Sequence, residues 1–329
     1  MCDMPAPAKT QEQMEPIHQE PIDLGNLRRV YFDTSAWNYL SRHADRAKLV
    51  REIKQSGSIV LASVISVGEV LRTDNAEFRR LMCSTIRELH GAGILLERPE
   101  DIAIAVAVAF RRGEKNMLLP RTGPGEKLYS YVHDPTSPPS AEIRAWLENM
   151  DGNVSRFIDA MKPPKPDTKT RYCSAEVFDR EDFLQTLCNL PFAKESNISI
   201  YEMRELCQAS DIWKGLGATI GYIIELSTTH APTWHHGRKR TGGPDIRQLA
   251  YLGVADIFVT KDRNQLEAAR RVAECLKYPR CVVSIEEFTN GIPSSAAIPD
   301  RIQRATKKKC QVCGCRLPTR AGTHMPALQ

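Results

Sequence analysis

The sequence predicts an α/β protein, an open parallel sheet with helices on both faces, interrupted by a large helical insertion. Three observations predict it. Short apolar runs alternate with helix-period segments at both ends of the chain, in the order strand, helix, strand, helix. Residues 94–240 break that rhythm with mostly helical patterns. The apolar runs meet acidic residues at their ends, where open α/β sheets gather their ligands.

Taken in order, residues 1–26 are rich in Pro, Gln and Glu, show no periodicity and predict disorder. Arg28–Phe32 predicts a short buried strand. Ala36–Gln55 predicts one helix, with Ser35 as its cap and Leu40, Leu49 and Ile53 on its apolar face. Ser58–Ser63 predicts a second strand. Val64–Arg72 predicts a helix capped by Ser63 or Ser66, with Glu69 in its first two turns. Glu77–His90 predicts another helix, ended by Gly91-Ala92-Gly93. Glu100–Arg112 predicts a helix rich in Ala and Val. The Pro and Gly density of residues 120–140 predicts a loop, and Ala141–Met161 an amphipathic helix. Lys162–Thr170 predicts a linker, and residues 175–230 two or three further helices. The alternation then returns: helix Asp245–Gly253, strand Ile257–Thr260, helix Asn264–Leu276, strand Cys281–Ser284. This divides the chain into a disordered 1–26, a first sheet portion 27–95, a helical block 96–240, a second sheet portion 241–292 and a basic, Cys-containing tail 293–329.

A chain of 329 residues holds one large domain or two modest ones. Hydrophobic content of 42% and charged content of 26% fit a globular protein. The net charge of +5 is unevenly spread, with −4 on residues 1–26 and +7 on residues 301–329. Such a modest total argues only weakly for nucleic acid, and the basic tail argues more. The apolar stretch Ile102–Phe110 is half as long as a membrane span requires. No basic-then-apolar leader opens the chain, which predicts no signal peptide. Seven of the ten Cys are scattered singly, which predicts free thiols in a reducing cytoplasm.

Four acidic residues carry the chemistry. Asp33 follows Val30-Tyr31-Phe32 and precedes Thr34 and Ser35, whose hydroxyls can orient it. Glu69 follows the second strand, Asp245 opens a helix after Gly242-Gly243-Pro244, and Asp262 closes the run ending Val259-Thr260-Lys261. Asp33, Glu69 and Asp245 are each explained alone as a helix-capping or first-turn acid. Together they share an address. Asp245 and Asp262 are separated by a helix and a returning strand, so Asp262 comes back near Asp245. Asp256 lies at the start of that strand and is predicted to be a turn residue outside the cluster. Clustered carboxylates repel, and Mg²⁺ or Mn²⁺ relieves the repulsion.

The segment VYFDTSAWNYL, a Glu after the second strand, and an Asp pair ending in FVTKD resemble the PIN domain, a family of metal-dependent ribonucleases. The resemblance covers about residues 28–95 and 240–290, and leaves residues 95–240 outside. It implies that Asp33, Glu69, Asp245 and Asp262 are Mg²⁺ or Mn²⁺ ligands, with Thr34, Ser35 and Thr260 supporting them. It further implies hydrolysis of RNA phosphodiesters by metal-activated water. The alternatives are a catalytically silent PIN-fold module binding RNA or protein, and a nuclease acting on DNA.

Arg238, Lys239 and Arg240, beside His235, His236 and Trp234, form either an RNA-backbone contact or a solvated loop. Cys310, Cys313 and Cys315, with His324, form either a Zn²⁺ knuckle or exposed thiols on the tail. No P-loop, dinucleotide fingerprint or nucleophile elbow is present, and Gly215-x-Gly217-x₃-Gly221 reads as close helix packing. The expectation is a cytoplasmic endoribonuclease, a toxin or defence effector or an RNA-processing enzyme. RNA is its expected partner and no membrane is; an inhibitor protein and a homodimer are candidates.

Overall fold

Val30, Tyr31 and Phe32 are fully buried, and this sets β1 (Arg28–Phe32) at the middle of the sheet. The structure, a computed structural model, describes residues 28–90, 95–113, 124–135, 139–145, 148, 172–229, 243–276 and 280–291. β2 (Ser58–Ser63), β3 (Leu95–Leu96), β4 (Ile257–Thr260) and β5 (Cys281–Ser284) complete a five-stranded sheet in the order β3-β2-β1-β4-β5. Every pairing is parallel, with Val30 opposite Val60 on one side and Ile257 on the other. Strands enclosed this way read as unbroken apolar runs, which is why β1, β2, β4 and β5 are legible in the sequence.

From β1 the chain steps to β2 and then β3 in one direction, and from β4 to β5 in the other. Parallel crossovers are right-handed, so the two directions put their helices on opposite faces. The first face carries α1 (Thr34–Arg42), α2 (Arg46–Gln55), α3 (Val64–Leu71) and α4 (Ala76–Leu89). The second carries α12 (Arg263–Glu274). Between β3 and β4 run α5 (Pro99–Arg111), α6 (Pro124–His133), α7 (Glu181–Cys188), α8 (Pro191–Glu195), α9 (Ile200–Ala209), α10 (Asp211–Thr229) and α11 (Gly243–Gln248). A 3₁₀ turn at Ala175–Asp179 lies between α6 and α7, a second at Leu249–Gly253 replaces the latter half of the helix expected over Asp245–Gly253, and α13 (Ile285–Asn290) follows β5.

Three expectations are corrected. The single helix over Ala36–Gln55 is two, because His43 turns extended (ψ 136°) and its Nδ1 accepts the Asp45 N–H at 3.1 Å. The loop over residues 120–140 contains α6. Proline is tolerated at a helix start, and Leu128 and Val132, one turn apart, are fully buried. The scattered cysteines are not all thiols: Cys173 and Cys275 form a disulfide, with Cα atoms 5.5 Å apart. Among the described residues Cys83, Cys188, Cys207 and Cys281 are buried and belong to no disulfide. Scattered spacing therefore no longer argues for a reducing compartment.

The helices between β3 and β4 share one apolar core with the sheet. Trp213 of α10 is fully buried and donates its indole N–H to the Ala103 carbonyl of α5 at 3.0 Å. The glycines of α10 pack closely, as their spacing suggests. A Cβ on Gly215 would lie 2.5 Å from the Ala250 carbonyl oxygen. Asp256 stands at the amino end of β4, where it accepts the Arg29 N–H at 2.9 Å and the guanidinium groups of Arg29 and Arg280 at 3.2 Å. It locks that end of the sheet. Among the described residues no helix is long and apolar enough to cross a membrane. Residues 1–27 and 292–329 lie outside the described residues, as do most of Ala141–Met161 and all of Lys162–Thr170.

Candidate active site

The sheet reverses its winding between β1 and β4, and the carboxyl ends of those two strands flank the resulting crevice. Asp33 follows β1 directly and donates its N–H to the Val259 carbonyl of β4 at 3.1 Å, so it faces Thr260. The residue is 2% exposed. Oδ1 accepts the Ala36 N–H and the Ser35 hydroxyl, both at 2.8 Å, and Oδ2 accepts the Thr260 hydroxyl at 2.5 Å. The Ala36 contact makes Asp33 the N-cap of α1 in place of the expected Ser35, which lies inside the first turn. Burial pushes Asp33 up to about 7. Hydrogen bonds from Thr260, Ala36 and Ser35 pull the other way, and the Asp245 charge adds to the rise.

Glu69 sits in the second turn of α3, which begins when Ser63 at the end of β2 caps it. Its Oε2 accepts the Thr34 hydroxyl and the Gln248 side-chain N–H, the latter at 3.2 Å. Burial first, then the Asp245 charge, push Glu69 to about 7; Asp33 adds a smaller rise. Asp245 is half-buried in the first turn of α11 and acts electrostatically on both. Its backbone carbonyl accepts the Gln265 side-chain N–H at 2.6 Å.

Asp262 is placed differently. Its backbone N–H donates to the Ser35 and Thr260 hydroxyls, both at 3.0 Å, which ties it to Asp33. Its carboxylate is exposed and accepts the Gln265 N–H at 2.8 Å, capping α12. Asp33, Glu69 and Asp245 thus form one electrostatic group, and Asp262 stands at its rim as a helix cap. Ser35 and Thr260 donate to Asp33, whereas the Thr34 hydroxyl, expected at Asp33, goes to Glu69 instead.

A second layer has no counterpart among the site residues predicted from sequence, although Ser63 and Ser66 figure there as candidate helix caps. Tyr31, Ser63, Ser66 and Gln248 are all fully buried. The Tyr31 hydroxyl donates to Gln248 Oε1 at 2.8 Å and lies 2.9 Å and 3.0 Å from the hydroxyls of Ser63 and Ser66. Burial holds Tyr31 well above its usual range, so its hydroxyl keeps its proton. With its oxygen so held, Gln248 turns its amide nitrogen toward Glu69. One signal pointed there: Ser63, Ser66 and Gln248 are polar residues inside otherwise apolar stretches.

Whether these residues suit a divalent cation is a question of donors. All are oxygens, the kind Mg²⁺ and Mn²⁺ prefer, and the carboxylates repel one another as an ion-binding group does. Among the described residues no three His, Cys, Asp or Glu side chains close on a single point. Mg²⁺ commonly takes one or two carboxylates and completes its shell with water and substrate phosphate. The pair Asp33 and Glu69, with Asp245 nearby, fits that habit. Arg238, Lys239, Arg240, Trp234 and the tail residues Cys310, Cys313, Cys315 and His324 lie outside the described residues. No protein-family model, no curated protein and no solved structure matches this chain.

Proposed function

We propose that the chain is a Mg²⁺- or Mn²⁺-dependent endoribonuclease of the PIN-domain kind, with residues 96–240 as a helical insertion. The observation that supports it most is that Asp33 and Glu69, both held near 7, face the Asp245 charge at the switch point of a parallel sheet. A bound ion would supply a water of lowered pKa and a counter-charge for the phosphate. Asp33 and Glu69 would hold that ion. Ser35, Thr260 and the Ala36 N–H fix both oxygens of Asp33, while Thr34 and Gln248 fix one oxygen of Glu69. Gln265 holds the backbone of Asp245 and the carboxylate of Asp262 at once, setting the spacing of the two later acids. Arg238, Lys239 and Arg240 would meet the RNA backbone. A toxin or defence effector restrained by an inhibitor protein is the role this activity suits.

The second reading is a silent binding module with the same fold. It is favoured by the absence, among the described residues, of three acids closed on one point. One assay separates the two. Wild type and Asp33→Asn are incubated with labelled RNA and DNA of one sequence, with Mn²⁺ or with chelator. Wild type should cut RNA only with the metal, and Asp33→Asn should lose nearly all cutting. No metal-dependent difference between the two proteins would leave the binding module standing.

A further inference from the structure

A cleft of about 500 Å³ opens next to the acids, lined by Ser35, Asn38, Tyr39, Arg42, His43 and Lys261, with Ala44 at its edge. It touches the acid group directly, because Ser35 lines the cleft and donates to Asp33 Oδ1 at 2.8 Å. The Ser35 hydroxyl also accepts the Lys261 N–H at 2.8 Å, so the cleft and the ends of β1 and β4 are one rigid unit. The lining combines two chemistries. Tyr39 and His43 present a pair of rings with centroids 5.4 Å apart, and the Lys261 ammonium lies 5.0 Å from the Tyr39 ring. Arg42, on the same face of α1 one turn on from Asn38, is exposed, and its guanidinium stacks 3.6 Å from the Phe78 ring. Rings beside fixed cations are how proteins hold a base and its phosphate in a single strand. The Lys261 ammonium is paired with Glu286, an exchangeable surface pair that a phosphate can replace.

We infer that this cleft binds one nucleotide of a single-stranded nucleic acid, next to the bond presented to Asp33. Its base stacks on Tyr39 and its phosphate lies between Arg42 and Lys261, with Asn38 and His43 available to the base edge. The inference rests on the nuclease reading for the position of the bond, whereas occupancy of the cleft is measured apart from cutting.

The test is fluorescence anisotropy of the full chain with a labelled single-stranded oligonucleotide, as RNA and as DNA of the same sequence, in chelator so that nothing is cut. Tyr39→Ala should weaken binding about tenfold or more, the loss typical of one stacked base. Tyr39→Phe should bind as wild type, and unchanged melting of all variants shows that the fold is intact. Arg42→Ala should lower the slope of log affinity against log salt by about 0.7, one phosphate contact on a single strand. A Tyr39→Ala deficit on RNA alone assigns the cleft to RNA, and a deficit on both assigns it to single strands in general. Wild-type affinity in Tyr39→Ala, or an equal loss in Tyr39→Phe, overturns the inference. If wild type cuts with Mn²⁺ while Tyr39→Ala binds normally, the nuclease reading survives and the cleft assignment does not. If wild type neither cuts nor binds, both fall.

Discussion

At Asp33 and Glu69 the fold holds charges it does not favour. Both carboxylates are pushed from their usual range near 4 to about 7. The folded chain therefore binds their protons more tightly than the unfolded chain. That preference stabilises the fold fully below about pH 4 and is lost as pH rises through about 7. For Asp33 alone the shift corresponds to on the order of 4 kcal/mol; the two acids share neighbours, so their effects do not add. Other groups, such as Asp256 and Asp182, are shifted downward and slope the opposite way. The difference between wild type and Asp33→Asn isolates the site. In chelator, Asp33→Asn should gain melting temperature over wild type between about pH 5 and pH 8, since Asn keeps the α1 cap without the charge. Equal profiles would mean that Asp33 is not the strained group. Gln248→Leu probes the second layer. Removing its amide takes away one of the two hydrogen bonds on Glu69 Oε2, and the proposed Mn²⁺ affinity should fall by about 10- to 100-fold in a Mn²⁺ titration. The outward signs of the site, acids closing apolar runs, are legible in the sequence. The Tyr31–Gln248 layer is not, because it joins residues 217 apart through contacts that only the fold creates.

Among the elements, legibility follows burial. β1, β2, β4 and β5 announce themselves as apolar runs, whereas β3 has two residues and pairs only Leu95 and Leu96 with β2. No pattern of period 2 is readable in two residues. α6 is hidden for another reason: its Pro and Gly lie at its start, where a helix tolerates them, and composition averaged over residues 120–140 reads as a loop. Close approach of elements also depends on glycine. α10 packs its Gly215 against the 3₁₀ turn Leu249–Gly253, and a Cβ on Gly253 would lie 2.3 Å from the Asp211 carbonyl oxygen. The contacting atoms are backbone and cannot rotate aside. Gly215→Ala should therefore cost about 1–3 kcal/mol, in line with overpacking of a core. The affected turn joins Gln248 to β4, so the same change should also weaken the proposed Mn²⁺ binding. Gly57 offers the control, with open space around its Cβ position and φ of +69°. Gly57→Ala should cost about 1–2 kcal/mol through backbone strain and leave the proposed metal affinity unchanged. Thermal melting with a parallel Mn²⁺ titration reads both; a Gly215→Ala protein that melts and binds as wild type would refute the packing account.

Over the whole molecule the candidate site is assembled from distant parts of the chain, and the Cys173–Cys275 bond ties the helical block to the end of α12 remote from Asp262. Cys173 precedes the helices that lead to α10, and Cys275 ends α12, the helix that Asp262 caps. Two other contacts run alongside. The Cys173 N–H donates to the Glu225 carboxylate of α10 at 2.6 Å, and that carboxylate also receives Arg271 of α12 at 3.3 Å. A Cβ on Gly221 would fall 2.2 Å from the Tyr172 carbonyl oxygen, so the chain entering this region lies directly on α10. The disulfide thus closes a span of 102 residues around the helical block. In the chain-entropy account, a cross-link closing about 100 residues contributes roughly 4.7 kcal/mol by restricting the unfolded chain. This partner choice is not legible from residue spacing, since ten cysteines allow many pairings and spacing selects none. The expected outcome is specific. Wild type purified without reductant should lose several degrees of melting temperature when reductant is added, and Cys173→Ser should melt at the reduced value in both conditions. Cys83→Ser, at a buried free thiol, should keep the wild-type response to reductant. Because the cross-link acts at the far end of α12 from Asp262, the proposed RNA cleavage should change little on reduction below the melting temperature. A large loss of cleavage with no shift in melting would mean that the bond positions the acids rather than restrains the unfolded chain.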